Sequence, residues 1–222
     1  MRTGRHDETA TGAVSAARLR HVHWIGGGSG AGKSTIARRL AERHGWRLYP
    51  TDDVMREHAL RTTAEEAPLL HTFMAMDMDE RWVDRSPEIM LETFHWFRGE
   101  AFGLIVEDLL RMPRETSVLV EGFRLLPHLV RPMLTAPGQA VWLLPTPEFR
   151  RAAFRSRAVP GEGFTARTSD PERANRNLAA RDDMFTKRLR DETARLGLPA
   201  ITVDRTLSED ELVERVSGVF GL

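Results

Sequence analysis

The sequence predicts an α/β fold in which helices cover both faces of a five-stranded parallel sheet, a three-layer α/β/α arrangement. Five short apolar segments alternate along the 222 residues with segments of helical periodicity. Five glycines also fall within the seven residues 26–32, directly between an apolar segment and a helical one. Because such sheets bind ligands at the carboxyl ends of their strands, the glycine-rich segment is the first candidate site.

The first half of the chain contains two predicted strands and a long helical region. His21–Ile25 is β-branched and aromatic, and the helix that starts at Lys33 is expected to end at Gly45. The segment WRLYPTDD, residues 46–53, predicts a second strand. Residues 54–112 are predicted to be helical, most clearly residues 87–112, which follow Ser86 as the N-cap.

The second half predicts three buried parallel strands, TSVLVEG, QAVWLLP and AITVD, each a continuous apolar segment. A helix over residues 146–157, a glycine-containing stretch and a long helix over residues 171–196 separate the last two strands. Asp170 is expected to cap the long helix and Gly197 to end it. Ser208 and Glu211 have the spacing of a capping box and predict a final helix.

Composition excludes several classes of function. The net charge of zero argues against a protein that coats nucleic acid. The absence of cysteine excludes disulfides, thiolate metal sites and a cysteine nucleophile, and it fits a reducing cytoplasm. The first residues lack the continuous apolar core of a signal peptide or membrane span. We therefore expect a cytoplasmic protein without membrane partners, with a disordered tail over residues 1–19 and one domain over residues 20–222.

Residues 27–34, GGSGAGKS, match the phosphate-binding P-loop pattern G-x-x-x-x-G-K-[ST]. Successive backbone N–H groups must turn inward around phosphate oxygens, which requires angles that glycine adopts easily. Lys33 is expected to reach the β and γ phosphates of ATP, and the Ser34 hydroxyl to coordinate Mg²⁺. The alternative is a flexible glycine hinge or a loop that no longer binds nucleotide. The predicted nucleotide-binding residues are Gly28, Ser29, Gly30, Ala31, Gly32, Lys33, Ser34 and Thr35.

In this loop and in the order of elements from about residue 20 onward, the chain resembles the small P-loop kinases of the nucleoside-monophosphate-kinase-like fold. These include shikimate, gluconate, uridine and polynucleotide 5′-hydroxyl kinases. The resemblance is specific at the P-loop. Over the rest of the chain it consists of the order of strands and helices. It implies a P-loop NTPase fold, an acceptor-binding helical region over about residues 54–112 and a helical lid over about residues 150–190.

The resemblance also implies two carboxylates in the site. Asp52, in TDDVMREH, is similar to the acidic motif that these kinases place opposite the γ-phosphate, where it accepts the proton of an attacking hydroxyl. Asp53 is the substitute, and a cap for the following helix is the alternative role. Glu121, at the end of VLVEG, is expected to hold Mg²⁺ together with Ser34. A strand that merely ends in glutamate is the alternative there.

The helix TPEFRRAAFRSR is similar to the one that leads into the lid of these kinases, whose arginines close over the phosphates. Arginine suits that role because its planar fork binds phosphate oxygens in pairs. An excess of six positive charges over residues 150–190 agrees with it. The candidates are Arg155 as a catalytic residue, Arg151 and Arg157 for binding ATP, and Arg176 and Arg181 on the facing helix.

Charge in the acceptor region points to a particular kind of acceptor. Residues 52–108 contain fourteen acidic residues and five arginines, which argues against nucleic-acid ends. It also weighs against a nucleoside monophosphate, although Arg56, Arg81 and Arg85 could bind its phosphate. A neutral or cationic hydroxyl compound is the predicted acceptor. The alternative is that the carboxylates only solvate exposed helices.

The predicted function is ATP-dependent transfer of the γ-phosphoryl group to a hydroxyl of a small molecule. A nucleotide kinase, with a phosphate as acceptor, is the alternative within the same fold. A regulatory ATPase or GTPase module is the alternative of another class, and the chain has neither an N-K-x-D guanine motif nor a D-x-x-G after the loop. His58 and His71 lack the paired spacing of a metal site. The oligomeric state is left open, a homodimer included.

Overall fold

The strands of the protein form one parallel sheet. The computed structural model describes residues 15–157 and 163–222. Neighbouring strands pair in the order β2-β3-β1-β4-β5, and each pair is parallel. The predicted α/β fold with a five-stranded parallel sheet is confirmed. The strands are β1 (Val22–Gly27), β2 (Arg47–Pro50), β3 (Val118–Glu121), β4 (Ala140–Pro145) and β5 (Ala200–Val203).

Helices fill the connections between the strands. In the described part of the chain, no helix has the length and apolar character that crossing a membrane requires. Short 3₁₀ turns at His95–Arg98, Arg131–Met133, Pro137–Gln139 and Phe164–Arg167 join some of them. The helices are α1 (Lys33–His44), α2 (Met55–Arg61), α3 (Pro68–Ala75), α4 (Met78–Trp82), α5 (Pro87–Thr93), α6 (Phe102–Arg111), α7 (Pro127–Val130), α8 (Pro147–Arg157), α9 (Pro171–Leu196) and α10 (Glu209–Phe220).

Alternate residues of the strands face two separate hydrophobic cores, because side chains alternate across a sheet. Trp24 and Trp142 belong to the core that contains α6 and α9. Ile25 and Val141 belong to the core on the other face, formed with α1 and α10. The sheet is therefore buried between two helical layers, as predicted. A site can form at the edge where the carboxyl ends of the strands lie.

Several predicted helix boundaries are confirmed by their capping bonds. The Ser86 hydroxyl accepts from the Ile89 N–H at 3.3 Å, and the Asp170 carboxylate accepts from the Arg173 N–H at 2.9 Å. Gly197 ends α9 in the left-handed conformation with φ 63°. Ser208 and Glu211 form the expected capping box of α10. These sequence signals are local, so they need no knowledge of the fold.

The prediction of one helix over residues 87–112 is wrong. The helix breaks between α5 and α6, where Gly99 has φ 82° and Ala101 has φ 59°. Neither angle occurs in a right-handed helix, and alanine adopts it only at a cost. The apolar periodicity continues through the break because both helices face the same core.

The folded part of the chain begins before residue 20. Leu19 is 0% exposed and belongs to the core beneath the sheet. Residues 1–14, most of the predicted tail, lie outside the described residues.

Candidate active site

Three neighbouring strands bring the predicted site residues to one edge of the sheet. In the register, Ile25 of β1 and Pro50 of β2 both lie beside Glu121 of β3. The Thr51 N–H donates to the Glu121 carbonyl at 2.8 Å, which continues the pairing to the residue before Asp52. The P-loop, Asp52 and Glu121 therefore start from adjacent strand ends.

The P-loop leads directly into α1. Gly32 is the N-cap of this 12-residue helix and has φ 81°, an angle that favours glycine. No side chain caps the helix, and its first turn contains no acidic residue. The first N–H groups of α1 are thus available to an anion, and the helix dipole favours negative charge at this position.

Lys33 brings a positive charge into the loop. Its side chain is buried, with 8% of the residue exposed, and its Nζ donates to the Gly28 carbonyl at 2.8 Å. The Lys33 side chain therefore crosses the loop, from its seventh residue back to its second. This is the arrangement that a lysine binding the terminal phosphates requires.

Two carboxylates lie close enough to Lys33 for its positive charge to lower their pKa values. Burial raises the pKa of Glu121, while the Ser34 hydroxyl and the Lys33 ammonium act to lower it. The Asp52 side chain is solvent-exposed, yet the protein packed around it removes enough water to raise its pKa, against the pull of Lys33 and Arg124. The negative charges of Asp52 and Asp53 also raise the pKa of Glu121, and that of Asp53 raises the pKa of Asp52.

The oxygen atoms at this edge fit Mg²⁺. Ser34 and Glu121 are the residues that would hold it, and within residues 15–157 and 163–222 no group of three or more His, Cys, Asp or Glu side chains could hold a metal alone. Mg²⁺ ordinarily takes one or two protein oxygens and completes its shell with phosphates and water. When bound, it would neutralise charge on the β and γ phosphates.

Three of the arginines predicted for the lid are exposed at the protein surface. Arg151 is exposed and pairs with Glu148 at 3.1 Å, and Arg155 is exposed as well. The side chain of Arg157 lies outside the described residues. Arg176, on α9, is also exposed and pairs with Glu172 at 3.6 Å. A role for these arginines in phosphate binding stays a prediction.

Arg150, which the sequence analysis did not select, lies beside the P-loop instead. It is buried, donates to the Ala179 carbonyl at 2.8 Å and pairs with Asp183 at 2.6 Å. A Cβ placed on Gly30 would lie 3.0 Å from the Arg150 Cγ. Arg150 thus joins α8 to α9 against the loop. Arg150 shares one face of α8 with Phe154, four residues later. This spacing is the sequence signal that could have identified Arg150.

A cluster of arginines and aromatic rings lies in and beside the helical region, about residues 54–112, that is predicted to bind the acceptor. Arg124 follows Glu121 by three residues and is 2% exposed, with its guanidinium carbon 4.0 Å from the centroid of the Trp96 ring. The guanidinium carbon of Arg181 lies 4.8 Å from the Phe94 ring centroid. We define the arginine–aromatic cluster as Arg81, Arg85, Arg124 and Arg181 with Phe73, Phe94, His95 and Trp96.

Three of the four arginines of this cluster form no direct ion pair within the described residues. Arg81 and Arg85 lie 4.9 and 6.0 Å from the Phe73 ring centroid and donate to backbone carbonyls and the Thr93 hydroxyl. Among the described residues, no carboxylate lies within 4 Å of Arg81, Arg85 or Arg124, whereas Arg181 pairs with Asp182 at 2.7 Å. Burial, reinforced by Arg124, Arg81 and Arg85, lowers the pKa of His95 to about 3. His95 is thus neutral and lies among positively charged arginines.

Comparison with known proteins agrees with this architecture. An adenylate kinase from Deinococcus radiodurans is 28% identical over 199 residues, which cover 86% of this chain and 91% of that protein. The chain has a P-loop NTPase fold. The likeness supports the nucleoside-monophosphate-kinase-like form of this fold and, with it, a phosphotransferase. No protein-family model matches the sequence.

Proposed function

We propose that the protein is an ATP- and Mg²⁺-dependent phosphotransferase whose acceptor is a small anionic molecule, with a nucleoside monophosphate as the first candidate. The P-loop geometry and the likeness to an adenylate kinase support ATP as the donor. The observation that supports an anionic acceptor is the arginine–aromatic cluster, where three arginines have no carboxylate within 4 Å among the described residues. Arginine left without a counter-ion is suited to bind phosphate or carboxylate.

The position of the charges matters more than their number. The acidic residues of the region include Glu57, Glu92 and Glu107, which are exposed and pair with arginines at the surface. The arginines of the cluster instead face the buried aromatic rings. The charge count over residues 52–108, which predicts a neutral or cationic acceptor, does not separate these two surfaces.

The chain's own residues perform the transfer in this proposal. The P-loop amides and Lys33 hold the triphosphate, and Ser34 and Glu121 hold the metal ion. Arg124 and its neighbours hold the acceptor so that one of its oxygens forms a bond to the γ-phosphorus while the bond to ADP breaks. Lys33 stabilises the negative charge on the oxygens as the group passes.

A hydroxyl acceptor is the second candidate function, and Asp52 favours it. Its carboxylate lies close enough to Lys33 and Arg124 for both to lower its pKa. A carboxylate in this position can accept a proton from a hydroxyl, which a phosphate nucleophile does not need. The acceptor would then carry both a hydroxyl group and an anionic group.

Product analysis tests the proposal and separates the two candidates. ADP release is measured with MgATP and two panels: nucleoside monophosphates, and hydroxylated metabolites with and without an anionic group. Phosphorus NMR of the product then distinguishes a new diphosphate from a new phosphate ester. Turnover confined to neutral hydroxyl compounds would contradict an anionic acceptor.

Arg124→Gln is expected to raise the KM of the anionic acceptor by roughly 10- to 100-fold, the effect of losing a hydrogen bond to a charged group. The KM of ATP should change less than about twofold, because Arg124 does not contact the P-loop. Steady-state kinetics with each substrate varied in turn measures both values. Arg98→Gln is the matched control, since Arg98 is exposed and pairs with Glu92 at 3.2 Å. If the two substitutions had equal effects, Arg124 would not be part of the acceptor site.

Asp52→Asn is expected to lower kcat by less than about tenfold when the acceptor is a nucleoside monophosphate, because its phosphate oxygen has no proton to lose. With a hydroxyl acceptor the same change should cost about 10²- to 10⁴-fold. In that case the wild-type rate should also rise with pH through a pKa above the ordinary 3.8 of aspartate. Asp53→Asn, its exposed neighbour, is the control. A large loss with a monophosphate would contradict the first candidate.

A further inference from the structure

We infer that His58 and Asp108 are positioning residues for the acceptor, which together fix the orientation of the Arg124 guanidinium. The inference rests on the proposed function, in which Arg124 binds the acceptor's anionic group. Neither residue lies on the strand edge that carries the P-loop, Asp52 and Glu121. Both act through Arg124 alone.

A continuous chain of hydrogen bonds joins the three side chains. Arg124 Nη2 lies 3.1 Å from His58 Nδ1, and His58 Nε2 lies 2.8 Å from Asp108 Oδ2. His58 is 0% exposed, so water cannot replace either bond. A guanidinium group can only donate, so Nδ1 must accept from Arg124 and Nε2–H must donate to Asp108. Only the neutral Nε2–H tautomer satisfies both partners.

Asp108 determines which tautomer His58 adopts. Its Oδ2 also accepts from the Tyr49 hydroxyl at 2.7 Å, and Arg61 donates to Oδ1 at 3.2 Å. Burial acts to raise the pKa of Asp108, but the hydrogen bonds from Tyr49, His58 and Arg61 outweigh it and lower the pKa. An ionised carboxylate accepts only, so the His58 proton stays on Nε2 and the lone pair of Nδ1 faces Arg124.

The rest of the shell around Arg124 leaves two of its five N–H donors, one on Nη1 and one on Nε, without a partner in the described structure. Its guanidinium lies over Trp96, Nη1 donates to the Thr51 carbonyl at 3.3 Å, and Nη2 also faces the Ala101 carbonyl at 3.4 Å. Nε has no hydrogen-bond partner within the described structure. Burial lowers the pKa of Arg124 to about 10, so the group is still charged at neutral pH. His58 thus helps to hold the guanidinium over Trp96, with these two donors left for a ligand.

Two substitutions of His58 separate positioning from packing. His58→Asn keeps an oxygen near the place of Nδ1 that can accept from Arg124 but does not reach Asp108. His58→Gln keeps an amide near the place of Nε2 that can donate to Asp108 but leaves Arg124 Nη2 without this acceptor. Tyr49→Phe is the control, because it removes another hydrogen bond to the same oxygen of Asp108 and does not touch Arg124.

Kinetics with the nucleoside monophosphate that the wild type uses provides the first test. His58→Gln should raise the acceptor KM at least tenfold, while His58→Asn and Tyr49→Phe should stay within threefold. The ATP KM should stay within twofold in all three. Equal acceptor KM values for the Gln and Asn variants, or a parallel rise in the ATP KM, would overturn the inference.

A spectroscopic test needs no acceptor and so remains valid if the proposed function fails. Nitrogen NMR of protein labelled at its eight histidines, with His58→Asn used for assignment, reports the tautomer of His58. The wild type should carry its proton on Nε2, and Asp108→Asn should keep it there, because Arg124 can only donate to Nδ1 and the asparagine oxygen can still accept from Nε2–H. A proton on Nδ1, in the wild type or in Asp108→Asn, would overturn the inference even if His58→Gln did not fold.

Discussion

Lys33→Met should lower kcat/KM by roughly a thousandfold, the upper end of what one preorganised charge contributes to a transition state. Methionine matches the aliphatic stem of lysine in length and is unbranched, so the buried stem keeps its packing while the ammonium group is lost. The Nζ hydrogen bond of 2.8 Å to the Gly28 carbonyl disappears as well. ADP release with the identified acceptor gives the rate, and calorimetry with MgATP gives the loss of affinity.

The chain supplies a control for this substitution. Lysine occurs only at positions 33 and 187, and Lys187 is exposed on α9, where it pairs with Asp191 at 2.8 Å. Lys187→Met should leave both the rate and the MgATP affinity unchanged, because an exposed pair of this kind contributes little. Unchanged MgATP affinity in Lys33→Met would mean that the loop does not hold the terminal phosphates.

Gly122→Ala is expected to reduce kcat by about a hundredfold or more, the cost of a misplacement of about 1 Å in a catalytic group. A Cβ at this position would lie 1.8 Å from the Thr51 Oγ1, and Gly122 already has φ 153°. Thr51 is fully buried and cannot move away alone. The end of β2 must shift instead, and it carries Asp52. Activity and thermal unfolding measured together show both the displacement and its cost in stability.

Gly103→Ala is the matched control for Gly122→Ala. Gly103 lies in α6, and a Cβ there would meet nothing within 4 Å. The exchange should stabilise the protein by up to about 1 kcal/mol, because alanine favours helix more than glycine does. Full activity in Gly122→Ala would show that the strand ends tolerate displacement and that the position of Asp52 does not limit turnover.

The sequence predicts the sheet, the P-loop and the helix caps well because their signals are local. The P-loop needs eight consecutive residues, and the caps at Asp170 and Ser208 need four. The break between α5 and α6 escapes this reasoning, since Gly99 and Ala101 interrupt a periodicity that both helices share. The tertiary fold decides that break.

The acceptor site is harder to predict because it depends on which side of each helix faces inward. Arg124 follows the predicted Glu121 at the same strand end, yet nothing in the sequence shows that its guanidinium lies over Trp96. His58 was set aside because it lacks the spacing of a metal ligand. Its partners, Arg124 and Asp108, are 66 and 50 residues away along the chain. Only the fold brings such distant residues together.

Helix α9 touches the donor and acceptor sides of the protein at once. Its Thr186 would meet a Cβ on Gly28 of the P-loop at 2.6 Å, and its Arg181 belongs to the arginine–aromatic cluster. The helix has 26 residues, spans about 39 Å and contains no proline or glycine after Pro171, so it moves as a rigid rod. In the proposed function, a tilt of α9 would change the contacts with ATP and with the acceptor at the same time.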